Sequence, residues 1–398
     1  MIETWRWFGP SDAISIPEIR QTGATGIVSA LHEFPAGQVW PTEDIKKRQR
    51  DIESPDGAPS GLTWDVVESL PVSETIKSQT GPVNQHLDAY KNSLRNLAEC
   101  GLRTVCYNFM PLLDWTRTDL DHPLANGGQA MRFDLVDFAL FDCFLLRRKG
   151  AEEDYSAKTV ESARSRFEKL EEVDKRKLTD TIVAGLPGAN SGWSLDDVER
   201  RLETYNGMTQ DALRANLIDF LSEIVPTAEQ LGIRLCCHPD DPPFALLGLP
   251  RVMSSQSDYT KILSGFDSPA NGVTFCVGSL GVAPDFDPVA FIEALGPRIH
   301  FAHLRNTVRV SDSDGNRHSF TEAEHLVGDT DMVATIRALL AEEHRRCDQG
   351  RSDHAIPFRP DHGHALLSDF DRTSQPGYPL VGRLRGLAEL RGVIKGCL

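Results

Sequence analysis

The chain has 398 residues, of which 40% are hydrophobic and 25% are charged, and its formal net charge is −16 at pH 7. This acidic balance argues against binding to nucleic acid or to an anionic membrane, both of which require basic surfaces. No apolar run approaches the roughly 18 residues of a membrane span, and the N-terminus lacks the features of a signal peptide. We therefore expect a cytoplasmic protein with reduced cysteines.

Short apolar runs alternate with amphipathic helical patterns along the whole chain. Eight of these runs are predicted strands, at residues 26–31, 62–69, 103–109, 130–133, 234–238, 272–276, 298–303 and 356–359. Parallel strands that are buried on both faces give continuous apolar runs of this kind. Eight such strands with helical connections predict an α/β fold, a (β/α)₈ TIM barrel that occupies residues 1–398 as one catalytic domain.

Helical periodicity is clearest between the strands at 84–100, 209–231 and 331–346. The stretch between predicted strands four and five is too long for one crossover helix. It contains a charged helical stretch and a loop rich in glycine and proline, at 156–178 and 185–192. We therefore predict a helical insertion at 143–208 that packs on the barrel, with a separate domain as the alternative.

Four of the predicted strands end at a side chain that can bind a metal. His238, Cys276 and His303 close three successive strands, and Asp361 follows the last strand. The active site of a (β/α)₈ barrel is built at the C-terminal ends of its strands. Each residue alone has an ordinary explanation, such as a turn or a small buried side chain. Together they predict a coordination shell of His, Cys, His and Asp.

Arg305 lies two residues beyond His303, and strand alternation points the two side chains the same way. We expect Arg305 to hold an anionic substrate, such as a carboxylate, or a neighbouring acidic side chain. An ion pair with a surface acid is the alternative. The softness of a Cys/His₂/Asp donor set favours Zn²⁺ or Fe²⁺ over Mn²⁺.

The chain resembles the mannonate dehydratases of the hexuronate pathway, within the broad xylose-isomerase-like barrel group. The likeness runs nearly end to end. Several long blocks carry it: TWRWFGP at 4–10, RTVCYNFMP at 103–111, LDWTRTD at 113–119, HPDDPP at 238–243, RPDHGH at 359–364 and PGY at 376–378. A few extra residues at 54–60 depart from the family pattern but include none of the expected ligands.

The resemblance implies Mn²⁺ or Fe²⁺ on the four strand-end residues. It also implies the removal of water from D-mannonate to give 2-dehydro-3-deoxy-D-gluconate in glucuronate catabolism. The acid–base residues of the family fall on His362 and Tyr378. We expect Asn108 and Trp7 to contact substrate together with Arg305, the segment 369–378 to form a lid, and no partner beyond the sugar acid except a homo-oligomeric copy.

Dehydration of a sugar acid breaks the C2–H bond and expels the C3 hydroxyl, so it needs both a base and an acid. His362 titrates near neutrality and is assigned to C2. Tyr378 needs no activation to act as an acid and is assigned to C3. Two alternatives remain: a metal-dependent sugar isomerase or epimerase on the same barrel, which needs no acid to expel a hydroxyl, and a non-catalytic metal-binding protein.

Overall fold

We analysed a computed structural model of the chain, which describes residues 1–184 and 193–398. The predicted loop at 185–192 lies outside these residues. Within them there are twelve strands: β1 (Ile2–Arg6), β2 (Gly26–Ser29), β3 (Thr63–Glu68), β4 (Thr104–Tyr107), β5 (Asp119–Pro123), β6 (Gln129–Phe133), β7 (Arg234–Cys237), β8 (Asn271–Cys276), β9 (Ile299–His303), β10 (Asn306–Asp314), β11 (Arg317–Ala323) and β12 (Pro357–Arg359).

The same described residues form fourteen α-helices. These are α1 (Ile16–Gln21), α2 (Thr42–Glu53), α3 (Glu74–Ser78), α4 (Val83–Glu99), α5 (Leu135–Leu140), α6 (Ala157–Phe167), α7 (Glu172–Val183), α8 (Leu195–Glu203), α9 (Gln210–Gln230), α10 (Gln256–Gly265), α11 (Val277–Leu280), α12 (Pro288–Leu295), α13 (Met332–Asp348) and α14 (Leu380–Cys397). In the described part of the chain, no helix is both long and apolar enough to span a bilayer.

Eight parallel strands close into a barrel in the order β1, β2, β3, β4, β7, β8, β9, β12 and back to β1. Helices connect most of these strands on the outside. A cluster of fully buried side chains from five barrel strands packs together, namely Val28, Val66, Cys106, Cys236 and Phe301. The predicted (β/α)₈ barrel is therefore confirmed, and the C-terminal ends of all eight strands meet at one mouth.

Seven of the eight predicted barrel strands are confirmed, but the assignment of 130–133 to the barrel is wrong. That run is β6, which lies in a separate antiparallel sheet with the order β10, β11, β6, β5. The remaining barrel strand is β1, which pairs in parallel with β2 and β12. The polar residues Thr4 and Arg6 interrupt its apolar pattern, so β1 does not have the continuous apolar run of a strand buried on both faces.

Among its described residues, the predicted insertion at 143–208 contains helices α6 to α8. The β5–β6 hairpin and α5 precede it between barrel strands β4 and β7. The charged stretch predicted at 156–178 is two helices, α6 and α7, and the three other predicted helices correspond to α4, α9 and α13. Side chains of the insertion such as Ile182 and Val198 share one hydrophobic cluster with Phe244 of the barrel loops. The Tyr205 hydroxyl donates to Glu74 Oε2 at 2.6 Å, which ties the end of the insertion to α3.

Trp5 on β1 should be a major contributor to stability. It is fully buried, and the Arg383 guanidinium of α14 lies 4.0 Å from its ring centroid. We expect Trp5→Ala to lower the free energy of unfolding by about 3–5 kcal/mol in urea denaturation. Val173→Ala is the control, because this side chain is 63% exposed and should cost less than about 0.5 kcal/mol. A loss below about 1 kcal/mol for Trp5→Ala would contradict the role of β1 in closing the barrel.

Candidate metal centre at the barrel mouth

Three of the four predicted ligands meet at the barrel mouth. His238 follows β7, Cys276 ends β8 and His303 ends β9, so three neighbouring strands bring them together. Their ligand atoms all lie within 4.8 Å of one another. The ring nitrogens His238 Nε2 and His303 Nδ1 are 3.2 Å apart. Two imidazoles and a thiolate at this spacing can hold one divalent transition-metal ion.

Asp361 approaches the same cluster from the end of β12. Its Oδ2 lies 3.9 Å from Cys276 Sγ and 3.7 Å from His303 Nδ1. The backbone of Asp361 has a φ of 63°, in the left-handed region that aspartate tolerates better than most residues. Arg359 donates to its other carboxylate oxygen. The structure thus places Asp361 next to two members of the three-residue cluster.

Buried arginines set the charge state of the carboxylates behind this cluster. Arg359 forms a bidentate pair with Glu68, in which Nε to Oε2 is 2.9 Å and Nη2 to Oε1 is 3.0 Å. Arg6 Nη1 lies 3.3 Å from Glu68 Oε2. Burial alone would raise the pKa of Glu68, but Arg359, His303 and Arg6 outweigh it and hold that pKa well below its usual range. Glu68 is therefore ionised in the interior.

The protonation states of the ligands follow from their neighbours. Burial alone would raise the pKa of the Cys276 thiol, but Arg305, His238 and His303 hold it well below its usual range. Cys276 is thus a thiolate, the form that binds metals. Burial would lower the pKa of His238, but its interaction with Cys276 raises the pKa to about 10. A cation must therefore displace a proton from His238 in order to bind.

Arg305 lies at the centre of an ion-pair network beside the metal cluster. Its Nη2 is 2.6 Å from Asp241 Oδ2, its Nη1 is 2.6 Å from Glu322 Oε1 and its Nε is 3.1 Å from Asp361 Oδ2. Arg117 joins the same two outer carboxylates, at 2.8 Å from Asp241 and 2.6 Å from Glu322. The Arg305 side chain is fully buried, and its charge is shared among carboxylates of the protein.

The two candidate acid–base residues lie side by side in the mouth. The rings of His362 and Tyr378 are nearly perpendicular, with centroids 5.1 Å apart. His362 Nδ1 lies 2.7 Å from Arg305 Nη1 and 3.1 Å from Glu322 Oε1, which leaves Nε2 as the nitrogen for a substrate. The Tyr378 hydroxyl donates to Asp361 Oδ1 at 3.3 Å. Burial and the Asp361 charge, partly offset by Arg359, raise the pKa of Tyr378 to about 12.

A narrow cavity of about 30 Å³ opens in front of these groups at the barrel mouth. His238, Asp361, His362 and Tyr378 are part of its lining, as is the predicted substrate contact Asn108.

Trp7 packs in the hydrophobic core, and its indole N–H donates to the carbonyl of Ile14 at 3.1 Å. Its neighbours Arg6 and Phe8 line the cavity instead. Alternate side chains of a strand point to opposite sides, so residues 6 and 8 face the mouth while 5 and 7 face the helices.

The predicted lid segment at 369–378 is anchored at both ends. The Asp369 carboxylate accepts hydrogen bonds from the backbone N–H groups of Leu380 and Val381, both at 2.9 Å, at the start of α14. Tyr378 at the other end is 5% exposed. The assignment of this segment as a lid stays a prediction.

The barrel and its mouth define the class of protein: a (β/α)₈ barrel with a candidate metal cluster and two candidate acid–base residues at the C-terminal ends of its strands. The family model for D-mannonate dehydratase (UxuA) matches residues 1–397. Mannonate dehydratases of Rhizobium meliloti (strain 1021) and Chromohalobacter salexigens are 53% and 54% identical to the chain over 393 residues, which is 99% of this chain and 96% and 98% of theirs. The chain belongs to the D-mannonate dehydratase family, as the sequence resemblance indicated.

A solved structure agrees with this assignment. The crystal structure of mannonate dehydratase from Streptococcus suis serotype 2 matches the chain with a TM-score of 0.76 and 31% sequence identity. The match covers 100% of this chain and 93% of the other. Fold and family membership therefore agree over the full length.

Cys276→Ser should weaken metal binding, because a serine hydroxyl does not ionise to a comparable soft ligand. We expect a metal content well below that of the parent protein after dialysis against a limiting concentration of Mn²⁺. Cys347→Ser is the control, since Cys347 is an exposed thiol on α13. If the Cys276→Ser variant and the parent have equal metal content, Cys276 is only a core residue and not a metal ligand.

Metal binding should also depend on pH. The pKa of His238 is raised above its ordinary value, so the ring is protonated at neutral pH and must lose that proton to bind a cation. We expect the Mn²⁺ affinity to rise by up to about tenfold per pH unit between pH 6 and 9, with proton release on binding. Calorimetry in buffers of different ionisation enthalpy measures both. An affinity that is flat with pH and without proton release would contradict this protonation state.

Proposed function

We propose that the chain is a mannonate dehydratase, a hydro-lyase that removes water from D-mannonate to give 2-dehydro-3-deoxy-D-gluconate. The observation that carries the proposal is the position of the His238, Cys276 and His303 cluster, with Asp361 next to it, beside a cavity that His362 and Tyr378 line. Membership of the D-mannonate dehydratase family supports the same activity. An isomerase needs no acid to expel a hydroxyl group, so the position of Tyr378 beside the ligands favours a dehydratase.

The donor set fits a divalent transition metal, because it combines a thiolate, two imidazoles and a carboxylate around one point. We propose His238, Cys276, His303 and Asp361 as the ligands and Mn²⁺ or Fe²⁺ as the working metal. When bound, the cation supplies Lewis-acid stabilisation of the negative charge that develops on the substrate carboxylate and its 2-hydroxyl group. The softness of the thiolate also allows Zn²⁺ to bind, with poor activity expected.

The charge of the site suits a singly charged sugar acid. Four arginines and four carboxylates of the described residues form the buried ion-pair networks in and beside the cavity. They are Arg6, Arg117, Arg305 and Arg359, and Glu68, Asp241, Glu322 and Asp361. These charges cancel, and Asp114, which also lines the cavity, is paired with Lys77 at 3.4 Å. Once a cation has displaced the proton of His238, and with the histidines counted as neutral, the Cys276 thiolate leaves the site itself at −1. A divalent cation brings it to +1, which a monoanionic substrate neutralises. This balance explains how an acidic protein accepts an anion.

We assign the proton transfers to the two cavity-facing groups. His362 Nε2 takes the proton from C2. For Nε2 to be free to accept it, the neutral ring carries its own proton on Nδ1, which donates to Glu322 Oε1 at 3.1 Å. Tyr378 gives its phenolic proton to the C3 oxygen, which leaves as water. Because the pKa of Tyr378 is about 12, this group is protonated at neutral pH and suited to act as an acid. The enol product then tautomerises to the 2-keto acid.

We assign Arg305 a supporting role rather than a direct contact with the substrate carboxylate. Its guanidinium meets Asp241, Glu322 and Asp361, so a substrate would have to displace one of these ion pairs. Arg305 instead fixes the Asp361 ligand and the Nδ1 side of His362. Asn108 remains the proposed polar contact from the cavity wall, where its amide donates to Asp114 at 3.4 Å.

Two further proposals concern the whole chain. The hydrophobic cluster that the insertion shares with the barrel loops supports a single catalytic domain that includes residues 143–208. The eight cysteines are all free thiols, which supports a reducing, cytoplasmic setting.

The direct test is incubation of the purified protein with D-mannonate and Mn²⁺ or Fe²⁺, followed by mass analysis and a colour assay for 2-keto-3-deoxy acids. The proposal predicts a product that is lighter by one water and positive in the assay. A product of unchanged mass would indicate an isomerase or epimerase. Unchanged mannonate in the presence of metal-loaded protein would contradict an enzymatic role on this substrate.

The two acid–base groups should have separable effects. Tyr378→Phe removes only the phenolic proton, so dehydration should fall by about 10²–10⁴-fold while exchange of the C2 hydrogen with solvent deuterium persists. His362→Asn should lose both, because the C2 proton has no acceptor. If exchange of the C2 hydrogen persists in His362→Asn but is lost in Tyr378→Phe, the roles of base and acid are reversed. Full dehydratase activity in both variants would exclude both residues as the acid–base pair.

A further inference from the structure

The two histidines of the metal cluster present different ring nitrogens to it. His238 faces the cluster with Nε2, and its Nδ1 lies 2.7 Å from the carbonyl oxygen of Pro239. His303 faces the cluster with Nδ1, which is 3.2 Å from His238 Nε2 and 3.7 Å from Asp361 Oδ2. A neutral imidazole carries one proton, and the nitrogen that binds a metal must be the unprotonated one. In each histidine, the hydrogen-bond acceptor of the ring nitrogen that points away from the cluster holds the ring proton there. It therefore determines that the other nitrogen binds the metal.

The far nitrogen of His303 faces Glu68. His303 Nε2 is 3.2 Å from Glu68 Oε1, on the opposite side of the ring from the cluster. Both side chains are buried, at 0% and 6% exposure, so water does not compete for this nitrogen. An ionised carboxylate can only accept a hydrogen bond. Among the described residues His303 Nε2 makes no hydrogen bond within standard geometry, and the carboxylate that faces it at 3.2 Å is that of Glu68.

Glu68 is also joined to the fourth ligand of the cluster. Arg359 binds Glu68 through two hydrogen bonds and donates to Asp361 as well. On the barrel wall, Arg359 of β12 is the register partner of His303 on β9. One guanidinium therefore couples the carboxylate behind His303 to the carboxylate beside it. A shift of Glu68 would move both.

We propose that Glu68 is a positioning residue of the metal centre, an inference that rests on the metal-dependent function proposed above. Glu68 accepts the Nε2 proton of His303 and so makes Nδ1 the coordinating nitrogen. Through Arg359 it also fixes the orientation of Asp361. Glu68 is not itself a ligand, because its carboxylate lies behind the His303 ring and is held by Arg359 and Arg6.

The test is the Mn²⁺ affinity of Glu68→Gln, measured by calorimetry or equilibrium dialysis without any substrate. Loss of a carboxylate that orients a metal-binding histidine weakens metal binding by about 10–100-fold, and we expect a change of that size. Glu342→Gln is the matched control. Glu342 is also a buried carboxylate paired with an arginine, at 2.7 Å from Arg346 Nε, but it lies on α13 outside the cavity. This control should bind Mn²⁺ like the parent protein.

Glu68→Asp is the second test variant, which separates an effect on metal binding from a folding defect in Glu68→Gln. It keeps the negative charge for Arg359 and Arg6 but withdraws the carboxylate from His303, so the fold should survive while Mn²⁺ still binds more weakly than in the parent. Parental affinity in both variants would overturn the proposal. A loss of binding as complete as in His303→Ala would also overturn it, because Glu68 would then be a ligand. If Mn²⁺ binding depends on Glu68 but the parent protein leaves mannonate unchanged, only the proposed function is contradicted.

Discussion

The ion pairs of Arg359 support the whole mouth of the barrel. This buried guanidinium is shared between Glu68, which lies behind the candidate ligand His303, and Asp361, which is a second candidate ligand. Burying any one of these charges alone would be costly, and removal of one partner from a buried pair typically costs about 3–5 kcal/mol. The groups are therefore stable only as a set. That mutual dependence fixes the ligand geometry before a metal arrives.

A second buried network extends this arrangement to the acid–base residues. Arg305 contacts Asp361 on one side and Glu322 on the other, and Glu322 in turn lies 3.1 Å from His362. Glu322 belongs to β11, in the antiparallel sheet rather than in the barrel. The segment between β9 and β12, which contains β10 and β11, is thus part of the site. It supplies the carboxylate that faces Nδ1 of His362 and leaves Nε2 for the cavity.

The strand-end residues were predictable because the barrel has a simple rule: strands that run parallel bring their C-terminal ends to one mouth. His238, Cys276 and His303 needed only correct strand ends to be recognised. Glu68 ends a strand in the same way, but a single acid after an apolar run is too common to stand out. Arg117 and Glu322 could not be paired from the sequence, because they are 205 residues apart and meet only through tertiary structure.

The strand errors have a related physical cause. β1 was missed because Arg6 points into the mouth, where polar side chains are needed, so the strand loses the apolar pattern of a core strand. The run at 130–133 has that pattern because Phe133 packs among other aromatic rings in the second sheet, including Phe320 at 5.6 Å. Hydrophobic pattern reports burial, and it does not report which sheet a strand joins.

The most direct test of the account is anomalous diffraction from crystals loaded with Mn²⁺, which locates the ion independently of activity. The account predicts one strong peak at the barrel mouth, within about 2.0–2.4 Å of His238 Nε2, Cys276 Sγ, His303 Nδ1 and a carboxylate oxygen of Asp361. Glu68 should remain behind the His303 ring without touching the ion. A peak coordinated by Glu68, or one away from these four side chains, would contradict the account.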